Sequence, residues 1–358
     1  MHPSIRFMRA VALALLLAML GIGFACGGGG GAGGPVKLQG AGATFPNPLY
    51  QKWLSEYGKV NSGVQIDYQS IGSGGGIKQL QAQTVDFGAS DAPMTEEELK
   101  ATAGTVLHIP TVLGAVVVTY NLPGVSKVLR FSPEVIADIY LGKISKWNDA
   151  RIKADNPDAN LPATDISSVH RSDGSGTSFV FTDYLSKVSA EWKEKVGANK
   201  SPKWIGGIGG KGNEGVTGQV KQTPNTIGYV ELAYAVQNKL PVALIKNKAG
   251  NFIEPSIDAV TAAAAGTVAG TPDDLRVSIA NADGATSYPI SSYTYILVLQ
   301  DQKDAGKGKA LVDFLWWGIH DGEKFAKELQ YAPLPEEIIK RAEAKINSIT
   351  AGGKPLRS

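Results

Sequence analysis

The chain has 358 residues, of which 43% are hydrophobic and 19% are charged. This length exceeds what one hydrophobic core usually serves, and the composition excludes a disordered or fibrous protein, so we expect a globular protein of two lobes. The formal net charge is only +2 and no long basic run occurs, which argues against a nucleic-acid-binding protein.

The first 25 residues have the pattern of an export signal. Arg6 and Arg9 precede an apolar run at 10–24 that is too short and wrongly flanked for a membrane span. We predict a signal peptide at 1–25 and a flexible glycine-rich tether at 26–35. Without Arg6 and Arg9 the chain is formally neutral. Binding of an anion would therefore depend on the geometry of a local site and not on the overall charge.

Cys26 is the only cysteine, and it follows the expected cut. A lone cysteine in an exported chain lacks a disulfide partner, and this position is typical of a bacterial lipoprotein, in which the thiol takes a lipid. The usual lipobox has an aliphatic residue where Gly23 stands and a small one where Phe24 stands, so ordinary cleavage after Ala25 is the alternative. We predict lipidation of Cys26, and location in the periplasm or on the outer face of the cell membrane.

Beyond the tether, short apolar runs alternate with helical patterns, which is typical of α/β proteins. The predicted strands are 64–68, 85–89, 112–120, 166–170, 227–230 and 293–299. The predicted helices are 48–57, 77–83, one opened by a capping box at 95–98, 133–141 with Ser132 as its cap, 311–317 and 335–349. Residues 247–283 are predicted to form a peripheral helix with loops.

Three segments share a design in which a strand ends, small or hydroxyl residues follow and a helix begins. They are 40–46, 71–77 and 174–177. A helix N-terminus offers unpaired N–H groups and the positive end of its dipole, and glycine lets an anion approach them. Because serine and threonine are also the usual helix caps, one such segment proves little. Three of them together favour an anion-binding site.

Two kinds of charged group accompany these segments. Arg171 can hold two oxygens of an oxyanion with its guanidinium fork, and we expect Asp173 to pair with it and fix its orientation. An exposed ion pair is the alternative for these two residues. Asp91 also follows a predicted strand, but its carboxylate is an acceptor, and a loop acid or a helix cap is the alternative there.

Enzyme patterns do not fit the sequence. The serine in Gly174–Gly176 lacks the G-x-S-x-G spacing of a nucleophile elbow, and the histidines are far apart. Metal-ligand spacing and a Walker A motif are missing, and the G-x-G-x-x-G match at 207–212 has no clear preceding strand. We therefore predict a protein that is not an enzyme and that carries no cofactor or metal.

Seven motifs give the chain a family resemblance. They are GAGATFP (40–46), TVDFGASDAP (84–93), DIYLGK (138–143) with Trp147, RSDGSGTSFVF (171–181), GGKGN (209–213), IGYVE (227–231) and YAPLP (331–335). With these motifs in this order, nearly the whole predicted mature chain resembles the phosphate-binding proteins of bacterial phosphate ABC importers.

The resemblance implies an α/β fold of the two-lobed periplasmic-binding-protein type (type II-like), with a mixed sheet and flanking helices in each lobe and the ligand in the cleft. The predicted lobes are lobe I (36–117 and 290–358) and lobe II (118–289). The family's phosphate contacts fall on Thr44, Phe45 through its backbone N–H, Ser73, Asp91, Arg171, Ser175, Gly176 and Thr177. Asp173 matches the acid that orients the arginine, and Gly74 stands where some members carry a second serine.

The implied function is a monomeric, non-enzymatic receptor that binds inorganic phosphate and delivers it to the permease and ATPase of an ABC importer. A buried carboxylate at position 91 would favour an anion that carries a proton, which sulfate and molybdate lack at neutral pH, whereas arsenate is protonated like phosphate. Three alternatives stay open: a binder of another tetrahedral oxyanion, an exported phosphatase-like hydrolase, and an adhesion or sensory role of the same fold.

Overall fold

A computed structural model describes residues 34–357. The strands are β1 (Val36–Gly42), β2 (Val64–Ser70), β3 (Phe87–Ser90), β4 (Val106–Asn121), β5 (Arg130–Phe131), β6 (Ser167–Arg171), β7 (Ile208–Gly210), β8 (Thr226–Glu231), β9 (Leu244–Lys246), β10 (Phe252–Ile253), β11 (Ser291–Leu299), β12 (Asp301–Gln302), β13 (Thr350–Ala351) and β14 (Lys354–Pro355). The α-helices are α1 (Asn47–Val60), α2 (Ser73–Gln81), α3 (Glu96–Lys100), α4 (Pro133–Tyr140), α5 (Ala150–Asp155), α6 (Gly176–Val188), α7 (Ala190–Lys195), α8 (Gly212–Gln222), α9 (Leu232–Gln237), α10 (Ile257–Ala265), α11 (Ala305–Gly318) and α12 (Glu336–Asn347).

The main sheet has eight strands in the order β2-β1-β3-β11-β4-β8-β6-β7. Its two ends are parallel, β1 with β2 and β3 at one end and β6 with β7 and β8 at the other. The long strand β4 joins them, because it pairs with β11 up to Ala115 and with β8 from Val116 onward, both antiparallel. This arrangement confirms the predicted α/β fold with two lobes, while the boundaries at 117 and 290 stay a prediction.

Strand β4 forms the centre of the core. All of its 16 residues except the two terminal ones are buried, as expected of a strand that is covered on both faces. Helix α1 packs one face inward, with Leu49, Tyr50, Trp53 and Tyr57 buried. The indole N–H of Trp53 also donates to the carbonyl of Gly322, at 2.9 Å, so that this large side chain is packed without an unpaired donor.

The three predicted strand-to-helix junctions are present. They connect β1 to α1, β2 to α2 and β6 to α6. A fourth junction connects β7 to α8, so the glycine motif at 207–212 does have a strand. The sequence-based reading missed this strand because its three residues lie inside the motif. Since β1, β2 and β3 run parallel, as do β6, β7 and β8, the carboxyl ends of each set lie at one edge of the sheet.

Other predictions need correction or lie outside the described residues. Ser132 occupies the N-cap position of α4, but its hydroxyl makes no capping bond and donates instead to Asp155 Oδ2 at 2.8 Å. The signal peptide, most of the tether and Cys26 lie outside residues 34–357. Among the helices of that described part, none is both long and apolar enough to cross a membrane.

Candidate functional site

The predicted ligand residues lie together where the junctions of the two sheet halves meet, and all of them are buried. Ser73 makes the central contact. Its Oγ accepts hydrogen bonds from the backbone N–H of Asp91, at 3.2 Å, and from that of Gly176, at 3.0 Å. Ser73 therefore joins the first turn of α2 to the end of β3 and to the first turn of α6.

Arg171 and Asp173 form a buried ion pair, so the exposed alternative is wrong. The guanidinium donates through Nε to Asp173 Oδ1, at 2.8 Å, and through Nη2 to Oδ2, at 2.6 Å. The Arg171 side chain is only 1% exposed. The backbone N–H of Gly212 also donates to Asp173 Oδ1, at 3.0 Å. Because Asp173 occupies the Nε side of the fork, the Nη1 side faces away from this pair.

The pKa of Asp173 reflects this pairing. Burial by itself would raise the pKa of the carboxyl group, but the hydrogen bonds and positive charge of Arg171, together with the Gly212 N–H, outweigh it. The pKa of Asp173 is therefore lowered, and the carboxylate stays ionised. The pair contributes no net charge and fixes the arginine.

Asp91 is in a different environment. Its Oδ1 accepts a hydrogen bond from the hydroxyl of Thr294, at 2.8 Å. Its Oδ2 is buried and has no hydrogen-bond partner among residues 34–357. Burial raises the pKa of Asp91 to about 7, although the Thr294 hydrogen bond, the charge of Arg171 and the nearby Ser73 hydroxyl oppose the shift. An unpartnered buried carboxylate oxygen is costly, and it marks a candidate functional group.

Asn213 is a site residue that the sequence-based prediction missed. It is fully buried at the start of α8. Its side-chain Nδ2 donates to Thr44 Oγ1, at 2.8 Å, and to Thr177 Oγ1, at 3.1 Å. Its Oδ1 accepts from the backbone N–H of Glu231, at 2.9 Å. The GGKGN motif was the available signal: it contributes to the family resemblance, but the resemblance assigns no ligand role to Asn213.

The hydroxyl oxygens of the site all accept hydrogen bonds from neighbouring N–H groups. Thr44 and Thr177 accept from Asn213, Ser73 accepts from two backbone N–H groups, and Ser175 Oγ accepts from the Ser178 N–H at 2.9 Å. Ser175 is thus the N-cap of α6 as well as a candidate ligand residue. A hydroxyl whose oxygen accepts still has its hydrogen to donate. The four hydroxyl groups and Arg171 can accordingly act as donors to an anion, and Asp91 Oδ2 can act as an acceptor.

Direct contacts also close the two halves over the site. The Gly74 N–H donates to the carbonyl of Gly174, at 2.9 Å. A Cβ on Gly74 would lie 3.2 Å from Gly174 Cα, so glycine permits this approach. Lys200 Nζ pairs with Glu98 Oε2 at 2.7 Å, and the Lys200 carbonyl accepts from the Ser175 N–H at 2.8 Å. These contacts join the two halves of the sheet directly beside the site.

The histidines have structural contacts. His108 Nε2 accepts from the Met94 N–H at 3.0 Å, and burial, with the nearby charge of Arg276, lowers its pKa to about 3. His170 stacks on Trp204 with ring centroids 4.9 Å apart. Between residues 34 and 357, no group of three or more His, Cys, Asp and Glu side chains is arranged to hold a metal ion.

A cluster of anion donors between two lobes of a mixed α/β fold defines a solute-binding protein. The family model described as "PBP superfamily domain" matches residues 29–316. The phosphate-binding protein PstS of Xylella fastidiosa is 48% identical over 310 residues, which cover 86% of this chain and 84% of that protein. PstS of Pasteurella multocida is 48% identical over 322 residues, covering 89% and 93%. The chain therefore belongs to the PBP superfamily and, within it, to the family of PstS phosphate-binding proteins.

Solved structures support the fold. A phosphate-binding protein from Stenotrophomonas maltophilia superposes with a TM-score of 0.66 at 20% identity, covering 86% of this chain and 93% of that one. A substrate-binding protein of a phosphate ABC transporter from Clostridium perfringens, crystallised with bound phosphate, gives a TM-score of 0.61 at 18% identity, covering 84% and 100%. At these identities the likeness concerns the fold alone.

Proposed function

We propose that the chain binds inorganic phosphate between its two lobes and delivers it to the membrane permease and ATPase of an ABC importer. The observation that carries this proposal is the donor set with one acceptor, Asp91 Oδ2, in a closed and buried site. The PstS names of the relatives support the same ligand.

Each predicted ligand residue has a role in this proposal. The donors to phosphate oxygens are the hydroxyls of Thr44, Ser73, Ser175 and Thr177, the guanidinium of Arg171, and the backbone N–H groups of Phe45 and Gly176. Asp173 orients Arg171. The Gly176 N–H donates to Ser73 in the closed structure, so it must share or exchange that contact when phosphate binds.

Asp91 accounts for selectivity. Hydrogen phosphate and dihydrogen phosphate can donate a proton to Oδ2, whereas sulfate would place another negative oxygen beside a buried carboxylate. Sites built around one specific hydrogen bond reject analogues that lack it by about 10⁴-fold to 10⁵-fold. Arsenate carries the same kind of proton, so this device does not distinguish it from phosphate.

Closure of the lobes buries the anion. With lobe I at 36–117 and 290–358 and lobe II at 118–289, the contact of Gly74 with Gly174 and the ion pair of Glu98 with Lys200 form only when the cleft closes. Rigid lobes that close on a hinge are a common arrangement around small ligands. Opening of the same contacts would release phosphate to the permease.

The cellular setting is part of the proposal. After removal of residues 1–25, the chain is a monomer in the periplasm or on the outer face of the membrane, anchored by a lipid on Cys26 and linked through the tether at 26–35. It has no enzymatic activity and no cofactor. A hydrolase would need a nucleophile with a base or a metal cluster, and neither belongs to the proposed site.

Calorimetric titration of the purified protein, freed of copurified anion, tests the ligand. We expect one phosphate per chain, bound tightly. A chromogenic phosphomonoester, assayed with and without divalent metal, serves as the control for a hydrolase. Turnover of the ester would favour the hydrolase alternative, and lack of phosphate binding would contradict the proposal outright.

A further inference from the structure

We propose that Thr294 is a positioning residue for anion selectivity, because its hydroxyl holds one oxygen of the Asp91 carboxylate and thereby presents the other oxygen to the anion. This inference rests on the proposed function, in which Asp91 accepts a proton from the bound phosphate.

The contact is direct and fully buried. Thr294 lies on β11 with no exposed surface, and its Oγ1 donates to Asp91 Oδ1 at 2.8 Å. The backbone N–H of Asp91 is held by Ser73 Oγ. A carboxylate turns readily about its terminal torsion, so a hydrogen bond to one oxygen decides where the other one points. A Cβ added to Gly176 would collide with Asp91 Oδ2, which places that oxygen against the first turn of α6.

A β-bulge holds the backbone of Thr294. Thr294 pairs with Val112, but the next residue, Tyr295, pairs with Pro110, so Thr111 is the extra residue of β4. Proline cannot donate to the ladder, which favours the irregularity at this point. Thr111 Oγ1 donates to the Thr294 carbonyl at 3.2 Å. Bulges near binding sites commonly redirect a side chain, and this one directs Thr294 toward Asp91.

The bulge is also tied to helix α1. The hydroxyl of Tyr50 and that of Thr111 are hydrogen-bonded at 2.8 Å, in the interior of the protein. Tyr50, Thr111 and Thr294 therefore form a continuous series of contacts that ends at the Asp91 carboxylate. Because each link is buried, the position of Thr294 is fixed before any anion binds.

Several titratable or charged groups surround Asp91. The titratable or charged side chains that face it are Arg171, Tyr50, Tyr68, Glu231 and Tyr331. Burial raises the pKa of each tyrosine and of Glu231 above its ordinary value, which favours the uncharged form of each group. Arg171 is paired with Asp173.

Removal of the Thr294 hydroxyl should change which anions are accepted. The hydrogen bond from Thr294 favours the ionised form of Asp91, so its loss raises the pKa of Asp91 further and frees the carboxyl group to turn. A protonated Asp91 can donate to sulfate instead of repelling it. Loss of a hydrogen bond to a charged group corresponds to about a tenfold to hundredfold change in the sulfate-to-phosphate affinity ratio.

The experiment is a competition titration of phosphate against sulfate between pH 6 and pH 9. It compares the wild-type protein with two variants. Thr294→Val keeps the side-chain shape, and Thr294→Ser keeps the hydroxyl. Thr119→Val is the matched control, because Thr119 is equally buried and donates to the carbonyl of Pro241, within the β4–β8 part of the sheet. We expect sulfate to begin competing with phosphate at a pH about one unit higher in Thr294→Val than in the wild-type protein. Thr294→Ser and Thr119→Val should give the wild-type pH profile.

An unchanged sulfate profile in Thr294→Val, with phosphate binding intact, would overturn the inference. An equal loss of affinity for both anions would also overturn it, because a purely structural role predicts that result. If Thr294→Val does not fold, a comparison of Thr294→Ser, which keeps the hydroxyl, with Thr294→Ala, which lacks it, provides the same test. A wild-type protein that fails to bind phosphate would contradict the proposed function itself, independently of Thr294.

Discussion

Asp91 and Asp173 are two carboxylates of the same site, the first buried and the second partly buried, and their surroundings differ. Asp173 receives two hydrogen bonds from Arg171 and one from the Gly212 N–H, and its pKa is lowered despite burial. Asp91 receives a side-chain hydrogen bond on Oδ1 from Thr294, none on Oδ2 within the described chain, and burial raises its pKa to about 7.

The two carboxylates therefore have different roles in anion binding. The paired carboxylate fixes Arg171, and this part of the site attracts any small oxyanion. The other carboxylate has an oxygen that only a proton-bearing anion can satisfy, so this part distinguishes among oxyanions. In this account Arg171 and Asp173 determine affinity, whereas Asp91 and Thr294 determine selectivity.

The largest expected effect comes from Arg171. Replacing it by methionine removes the main donor and leaves Asp173 buried without its partner, so we expect phosphate affinity to fall about 10³-fold, or ~4 kcal/mol. Arg130→Met is the control, since that arginine is exposed and its guanidinium lies over the Phe252 ring, outside the site. Calorimetry on both variants measures the effect, and less than a tenfold loss in Arg171→Met would contradict the assigned role.

Asparagine variants of the two aspartates test the comparison itself. In Asp91→Asn, Thr294 should hold the amide oxygen, so that the amide nitrogen faces the anion and donates to sulfate. We expect sulfate affinity to rise at least about 100-fold at pH 8, with a smaller change for phosphate. Asp173→Asn should instead weaken phosphate binding without admitting sulfate. Sulfate exclusion that persists in Asp91→Asn would remove Asp91 from the selectivity mechanism.

The stability of the anion-free protein offers a third test. The folded-state pKa of Asp91 is about 7, against an ordinary value of 3.8, so burial favours the protonated form. Its contribution to stability is complete below the ordinary pKa and is lost as the pH rises through about 7. Asp91→Asn should therefore be more stable than wild type at pH 8, by ~1–3 kcal/mol, and closer to it at pH 5. Denaturant unfolding at both pH values measures this difference, and an equal difference at both would speak against it.

The smallest expected effect concerns the closing ion pair. Lys200 and Glu98 have partly exposed side chains (13% and 25%), so their pair is worth ~0.5–1 kcal/mol. Lys200→Met should weaken phosphate binding twofold to fivefold at low salt, and the effect should shrink at high salt. Lys146→Met, which breaks the exposed pair with Asp165, should change nothing. A salt-independent loss in Lys200→Met would indicate damage to the site rather than weaker closure.

The sequence predicted the parts of the site that are encoded locally. Each strand-to-helix junction places its hydroxyls and N–H groups within a few residues, so the three segments could be proposed from the pattern. The family resemblance then singled out Thr44, Ser73 and Ser175 within them. Arg171 and Asp173 are likewise two positions apart. The two-lobed fold followed from the alternation of elements and from the family resemblance.

The supporting residues were not predictable in this way. Asn213 contacts Thr44 across 169 positions of the chain, and Thr294 contacts Asp91 across 203. These contacts depend on the order of strands in the sheet and on the bulge at Thr111, which a periodicity analysis does not detect. Strand β7 was missed for a related reason, since three residues within a glycine motif give no periodic signal.

The most direct test of the central claim is a titration of the wild-type protein, freed of copurified anion, with phosphate and then with sulfate at pH 8 and pH 6. If Asp91 selects the anion, phosphate should bind tightly and one-to-one at both pH values. Sulfate should not bind at pH 8 but should bind measurably at pH 6, where Asp91 is largely protonated. Sulfate that binds as well as phosphate at pH 8 would contradict selection by a single carboxylate acceptor.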